Sequence, residues 1–223
     1  DNGGAVGHLI GDENQGLTGM FTMMNLARLM VGLQGVAITE RAYQQALSYA
    51  KDRVQGSRSN GADAPSPAPI IHHPDVKRML LDMKCIAEAG RCLTLYAAYC
   101  IDLSKRHADA PTRQRFSDRL SLMTPVVKAW ITDRAIECAS TGIQVHGGLG
   151  YIEDTGAAQH LRDARIMAIY EGTNGIQAND LIGRKIVREA GTSMLGLISD
   201  MKEDMAGAKA LDGEALVGIL RAT

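Results

Sequence analysis

Apolar residues recur at three- and four-residue steps from residue 17 to about residue 53, with Leu17, Met20, Phe21 and Met24 followed by Val36, Tyr43 and Leu47. That period places them on one stripe of a helix. No proline interrupts the stretch, so the pattern predicts a single long helix with a bend near Gly32 and Gly35. A second face, running through Val76, Met79, Leu80, Met83, Ala87, Gly90, Leu93, Ala97 and Ile101, predicts another long helix ending near His107. A third helical region follows Pro111. Within it Thr124-Pro125 reads as an N-cap followed by proline at the first helical position, so the segment carrying Trp130 and Glu137 is predicted to restart there. The glycines after Gln144 stop it. Shorter helical periods cover residues 155–167 and, after a break at Gly172, residues 174–189. Alternation of the strand type is scarce, and the set predicts an all-α, antiparallel four-helix-bundle-like domain.

Punctuation divides the chain further. Residues 1–16 are rich in glycine and turn formers and are expected to be the end of a preceding domain. Residues 17–190 form the expected bundle, and residues 191–223, ending in LVGILRAT, the expected start of a C-terminal helical extension. Residues 55–74 hold four of the six prolines and predict a long irregular loop.

With 223 residues and 45% hydrophobic content, the chain can bury a substantial core. A net charge of -1 provides no cationic excess to draw it onto nucleic acid or anionic membrane, and neither is an expected partner. No apolar run is read as approaching the ~20 residues of a membrane span, so the expected localisation is cytoplasmic. Cys85, Cys92 and Cys100, seven and eight residues apart, are read as one stripe of buried packing. No cysteine pair has zinc-knuckle spacing, His72-His73 reads as an exposed loop pair, and no metal site is expected.

Three constellations can carry chemistry. In Tyr170-Glu171-Gly172-Thr173-Asn174-Gly175, a carboxylate stands between two helical stretches with glycine beside it, a placement suited to a general base. In Gln144-Val145-His146-Gly147-Gly148-Leu149-Gly150, clustered glycines let main-chain N–H groups approach a phosphate. Arg53, with Gln55 and Gly56 at the end of the first helix, can grip a pyrophosphate through its guanidinium fork. Taken singly, each has a plainer explanation: a capping glutamate, a helix-terminating glycine turn, an arginine complementing a helix dipole.

Their order and spacing add information. YEGTNGIQ, preceded by LRDARIMAI and QVHGGLGY, together with the helix ending SYAKDRVQG, resembles the C-terminal domain of acyl-CoA dehydrogenases over about residues 5–190. The resemblance implies FAD held between an N-terminal helical domain, a β-domain and this bundle, partly by a neighbouring subunit of a homo-dimer or tetramer. It implies α,β-dehydrogenation of an acyl-CoA thioester to the 2-enoyl-CoA, with an electron-transfer flavoprotein as electron acceptor. Carried over residue by residue, Glu171 is the catalytic base that takes the α-proton. Arg53, Gln144, Gly147, Gly148 and Thr173 contact FAD, while Arg28 and Gly172 lie at the substrate. The fragment alone is expected to be inactive.

Some positions depart from the family pattern. Arg53-Val54-Gln55-Gly56 lacks a usual phenylalanine and is one residue short, His146 replaces a hydrophobic residue, and Asn174-Gly175 stands where a bulkier polar pair is frequent. With the enlarged loop, these features are similar to the longer bacterial branch that includes methylthiopropionyl-CoA dehydrogenases. Two other readings stay open from sequence: a flavin-dependent acyl-CoA oxidase, and a non-catalytic helical assembly module.

Overall fold

The computed structural model describes residues 3–57 and 67–209. The centre of the proline-rich loop, 58–66, and the LVGILRAT end lie outside the described residues. Three long helices dominate: α1 (Gly16–Asp52), α2 (Pro74–Arg106) and α3 (Ala110–His146). Helix α2 opens with Pro74 and Asp75 and closes with Lys105 and Arg106, which suits the missing N–H at one end and the dipole at both. Asp109 caps α3 by accepting the Thr112 N–H at 2.9 Å. The short link 107–109 folds α3 back along α2.

Helices α4 (Gly148–Tyr151), α5 (Ala157–Met167), α6 (Asn174–Asn179) and α7 (Thr192–Lys209) follow, with a π-helical stretch at Asp180–Val187 between α6 and α7. Helices α1, α2, α3 and α5 pack together, and no β-sheet occurs among the described residues. The class is all-α with a helix-bundle core, as the periodicity predicts.

One core cluster gathers Ala42, Ala46, Met83, Ala135 and Cys138, and a second gathers Leu29, Val36, Ala97, Val127 and Ile131. Burial pushes the Cys138 thiol up to about 12, which removes it from nucleophilic chemistry. Where α1 crosses α3 the backbones come unusually close. A Cβ at Gly32 would lie 2.6 Å from Val127 Cγ1, and one at Gly35 would lie 2.8 Å from Ile131 Cγ2. Gly32 and Gly35 therefore mark a contact within an uninterrupted helix.

Several expectations are corrected. Helix α3 does not restart at Thr124-Pro125; it runs through Pro125. An interior proline costs about 3 kcal/mol, and burial of Leu122, Met123, Val127 and Ile131 around it offsets that cost. The cysteine stripe does not hold either: Cys85 and Cys92 are exposed and only Cys100 is buried. Eight residues advance a helix about 80° beyond two full turns, so Cys100 leaves the line of the other two. The loop is less irregular than its composition implies, because its base is zipped: Gln55 N–H donates to Ala68 O at 3.0 Å, and Ile70 N–H to Arg53 O at 2.8 Å. His72 and His73 are half-buried, with His73 Nε2 2.8 Å from Gln55 O. Finally, α1 contains an 18-residue window of mean hydropathy 1.3, long and apolar enough to match a membrane span by length and composition. Its methionines, leucines and valines outweigh the few charged residues, and a third of the window (33%) is buried in the bundle.

Candidate functional site: a strained carboxylate turn and a glycine-lined cavity

Helix α5 ends at Met167 and its chain must reverse to begin α6. The reversal is made at Glu171 and Gly172, with φ of 55° and 86°. Left-handed backbone is unusual for a residue with a Cβ, and holding it requires support from the surroundings. Support comes from both sides of the turn. Asn174 N–H donates to Ala168 O at 3.1 Å, and the Thr173 hydroxyl caps α6 by accepting the Ile176 N–H at 3.3 Å. Below the turn, Gln177 Nε2 donates to Gly172 O at 3.3 Å and to Glu171 O at 3.5 Å. Arg28 Nε donates to Glu171 O at 3.4 Å. A Cβ at position 172 would lie 2.8 Å from Gln177 Nε2, so a side chain there would displace the amide that holds the turn, on backbone whose φ already favours glycine.

The Glu171 side chain is treated differently from its backbone. It is half-buried, and among the described residues no hydrogen bond or ion pair engages its carboxylate, whose charge interacts with Lys128. The result is a carboxylate on a pinned backbone, free to accept a proton from something placed above it.

Arg28, predicted at the substrate, lies beneath the turn. It is buried to 2% exposure and pairs with Asp180 at 3.4 Å. Asp180 opens the π-helical stretch, and neither it nor Gln177 was singled out from sequence. Lys128 was also missed. Its side chain is completely buried in α3 and Nζ donates to Asn174 Oδ1 at 2.8 Å. Burial lowers its ammonium to about 8, with Asp133 and Glu171 opposing that effect and Arg28 adding to it. A signal was present: Thr124, Lys128, Ile131 and Ala135 share one helical face, so a lysine sits in an otherwise buried stripe.

The other two constellations meet elsewhere. Gly147 ends α3 with φ 62°, and the corner it makes, together with the end of α1, encloses a cavity of about 500 Å³. Arg53, Gln144, Gly147 and Gly148 all line it, joined by Tyr49 and His146. Both glycines are exposed, and a Cβ on either would meet nothing within 4 Å. Arg53 is exposed, its Nη2 3.4 Å from Gln55 Oε1. Beneath them His146 is buried, stacks on Tyr49 at 4.4 Å between ring centroids, and places Nδ1 2.7 Å from Gly142 O. A guanidinium, a side-chain amide and exposed glycines on one wall suit an anionic ligand that can accept and donate hydrogen bonds. Thr173 belongs to the turn and not to this cavity. Among the described residues no cluster of three or more histidine, cysteine or acidic side chains is arranged to hold a metal ion.

Comparison with known proteins accords with this arrangement. Residues 14–186 match the family model described as "Acyl-CoA dehydrogenase, C-terminal domain". The chain is 53% identical over 187 residues to 3-methylmercaptopropionyl-CoA dehydrogenase of Ruegeria pomeroyi, covering 84% of this chain and 32% of that protein. It is 36% identical to a butyryl-CoA dehydrogenase of Syntrophomonas wolfei, covering 94% of this chain and 35% of the relative. Among solved structures, butyryl-CoA dehydrogenase of Megasphaera elsdenii aligns with a TM-score of 0.63 at 29% identity, over 78% of this chain and 39% of that one. Caenorhabditis elegans ACDH-11, solved in complex with C11-CoA, aligns at 0.68 and 28% identity over 78% of this chain and 27% of its own. The chain thus spans about a third of the length of the curated relatives it matches. Sequence, bundle and turn together place it in the acyl-CoA dehydrogenase family, as the C-terminal helical domain.

Proposed function

We propose that this domain serves FAD-dependent α,β-dehydrogenation of an acyl-CoA thioester to the 2-enoyl-CoA, with Glu171 as the base. The observation that carries the reading is the left-handed Glu171 backbone, held from both sides while its carboxylate stays disengaged. Strain of about 1–3 kcal/mol persists only where the surroundings enforce it, and here it fixes the position of one half-buried carboxylate. When bound, FAD supplies the acceptor for the β-hydrogen, taken as hydride. The protein's own part is to remove the α-proton onto the Glu171 carboxylate and to offer the Glu171 N–H to the thioester carbonyl.

The cavity residues fit such a cofactor. Arg53 offers a forked cation to a diphosphate, Gln144 an amide, and Gly147 and Gly148 an exposed surface that a ligand can approach closely. Thr173 and Gly172 stand beside the base, where flavin and substrate would meet it. Arg28, buried under the turn, acts on the substrate indirectly by holding the Glu171 carbonyl. Exposed apolar side chains at Tyr151 (82%), Ile166 (53%) and Ile169 (46%) favour a homo-oligomer or a further domain covering that face. An electron-transfer flavoprotein is the proposed acceptor, in keeping with the family.

The test is anaerobic stopped-flow reduction of the flavin in the holoenzyme by a panel of acyl-CoA thioesters that includes butyryl-CoA and 3-methylthiopropionyl-CoA. The expected result is bleaching by at least one thioester. No bleaching by any of them overturns the reading.

A further inference from the structure

The proposed function leaves Lys128 unexplained. A wholly buried lysine is rare unless it is paired, and this one lies on α3, beside the start of α6 and the Glu171 turn. Its partner Asn174 is the first residue of α6, three residues after the base. Asn174 does more than receive the ammonium. The two protons of its Nδ2 are shared among Asp133 Oδ1 at 2.7 Å, Thr132 Oγ1 at 2.9 Å and Ala129 O at 3.2 Å, all on α3. Its own backbone N–H reaches back to Ala168 O at 3.1 Å, on the far side of the turn.

The chain is thus closed into a loop. Ala168 and Asn174 are tied across the Glu171–Gly172 reversal, and Asn174 is bolted to α3 with Lys128 as the charged donor. Thr132, which donates to the Lys128 carbonyl at 2.8 Å, links the two ends of the clamp. Without the clamp the turn would keep the Arg28 and Gln177 contacts, at 3.3 to 3.5 Å, and the hydrogen bonds within its own segment, but would lose its tie to α3.

Resting on the dehydrogenase reading above, we propose that Lys128 is a positioning residue for Glu171: through Asn174 it fixes the start of α6 to α3 and so sets where the base carboxylate stands. The groups facing the ammonium are Asp133 from α3, Arg28 from α1, Glu171 from the turn and Asn174 from α6. With its proton Lys128 is a charged donor to Asn174; without the proton that bond weakens.

The experiment uses the full holoenzyme with Lys128→Met, Asn174→Ala and the double variant. It reads the limiting rate of anaerobic flavin reduction, the apparent Kd for the acyl-CoA that wild type uses best, and the pH profile. A misplacement near 1 Å costs about 10²-fold in rate, so each single variant is expected to lose about that much while Kd moves less than roughly threefold. The double variant should be no slower than the slower single, because both cut the same link. Wild type should lose rate above about pH 8 as Lys128 gives up its proton. That alkaline limb should vanish in Lys128→Met and move to lower pH in Asn174→Ala.

Single variants within about twofold of wild type, losses that multiply in the double, or an unchanged alkaline limb each overturn the proposal. If Lys128→Met does not fold, Asn174→Ala decides, since it leaves the core lysine in place. An active wild type with unaffected variants removes this inference alone; a wild type that no thioester reduces removes the dehydrogenase reading and this inference with it.

Discussion

The Glu171 turn and the Gly147 corner are both chain reversals at helix ends, yet they are built in opposite ways. At Glu171 a residue with a Cβ adopts left-handed backbone, and hydrogen bonds from α1, α3 and α6 hold the segment in place. At Gly147 the positive φ falls on a glycine, and the two exposed glycines have open space beside them. The first reversal invests interactions in a single carboxylate position. The second keeps its surface bare, and its polar groups, Arg53 and Gln144, are exposed to whatever enters. The contrast separates a site that must hold one atom still from a site that must let a ligand come close.

The sharpest way to break this contrast is Glu171→Gln. It keeps the turn but removes the proton acceptor, and a general base contributes about 10²–10⁴-fold. Flavin reduction should collapse by that factor while FAD content, read from the absorbance spectrum, stays constant. A rate near wild type would place the base elsewhere.

The next effect is on stability against pH. The folded Lys128 titrates at about 8, below its ordinary value of 10.5. Folding therefore favours the neutral amine. Its contribution to stability is present above pH 10.5 and is lost as pH falls through about 8. The shift corresponds to about 3 kcal/mol. Urea unfolding of wild type and Lys128→Met from about pH 7 to pH 11 should show wild type gaining by that amount relative to the variant. A flat difference would mean that Lys128 is not desolvated in the folded state.

Gly172→Ala follows. A Cβ 2.8 Å from Gln177 Nε2, on backbone of φ 86°, should cost about 2 kcal/mol in unfolding free energy and slow flavin reduction. Gly148→Ala is its control in the open corner, and should leave stability within about 0.5 kcal/mol. Apart from that control, the smallest effect is expected for Arg53→Ala. Loss of one charge-assisted contact should weaken FAD binding about tenfold, measured by flavin titration of the apoprotein, without changing the urea midpoint.

Much of the bundle was legible in the sequence because long helices leave a periodic record. The apolar stripe of α2 was read nearly residue for residue, and proline and glycine marked its start and the end of α3. Arg53, Gln144, Gly147 and Gly148, which motif order groups in the sequence, line one cavity in the fold. The misreadings have two causes. Pro125 reads as a helix start by a local rule that packing outweighs, whereas the cysteine stripe fails on the angle that eight residues advance along a helix. A buried proline tolerates its missing N–H when its neighbours gain enough apolar contact.

By itself, then, the sequence determined the all-α class, the three long helices and the glutamate placed at a break between two shorter ones, because hydrophobic period and glycine placement act over a few residues. Only the tertiary structure decided that Arg28, Lys128, Asn174, Gln177 and Asp180 converge around that break. Contacts such as Arg28 with Asp180, 152 residues apart, leave no periodic trace in the chain. They exist because burying a charge or an amide is costly until a partner is found, and the partner is supplied by whichever helix packs alongside.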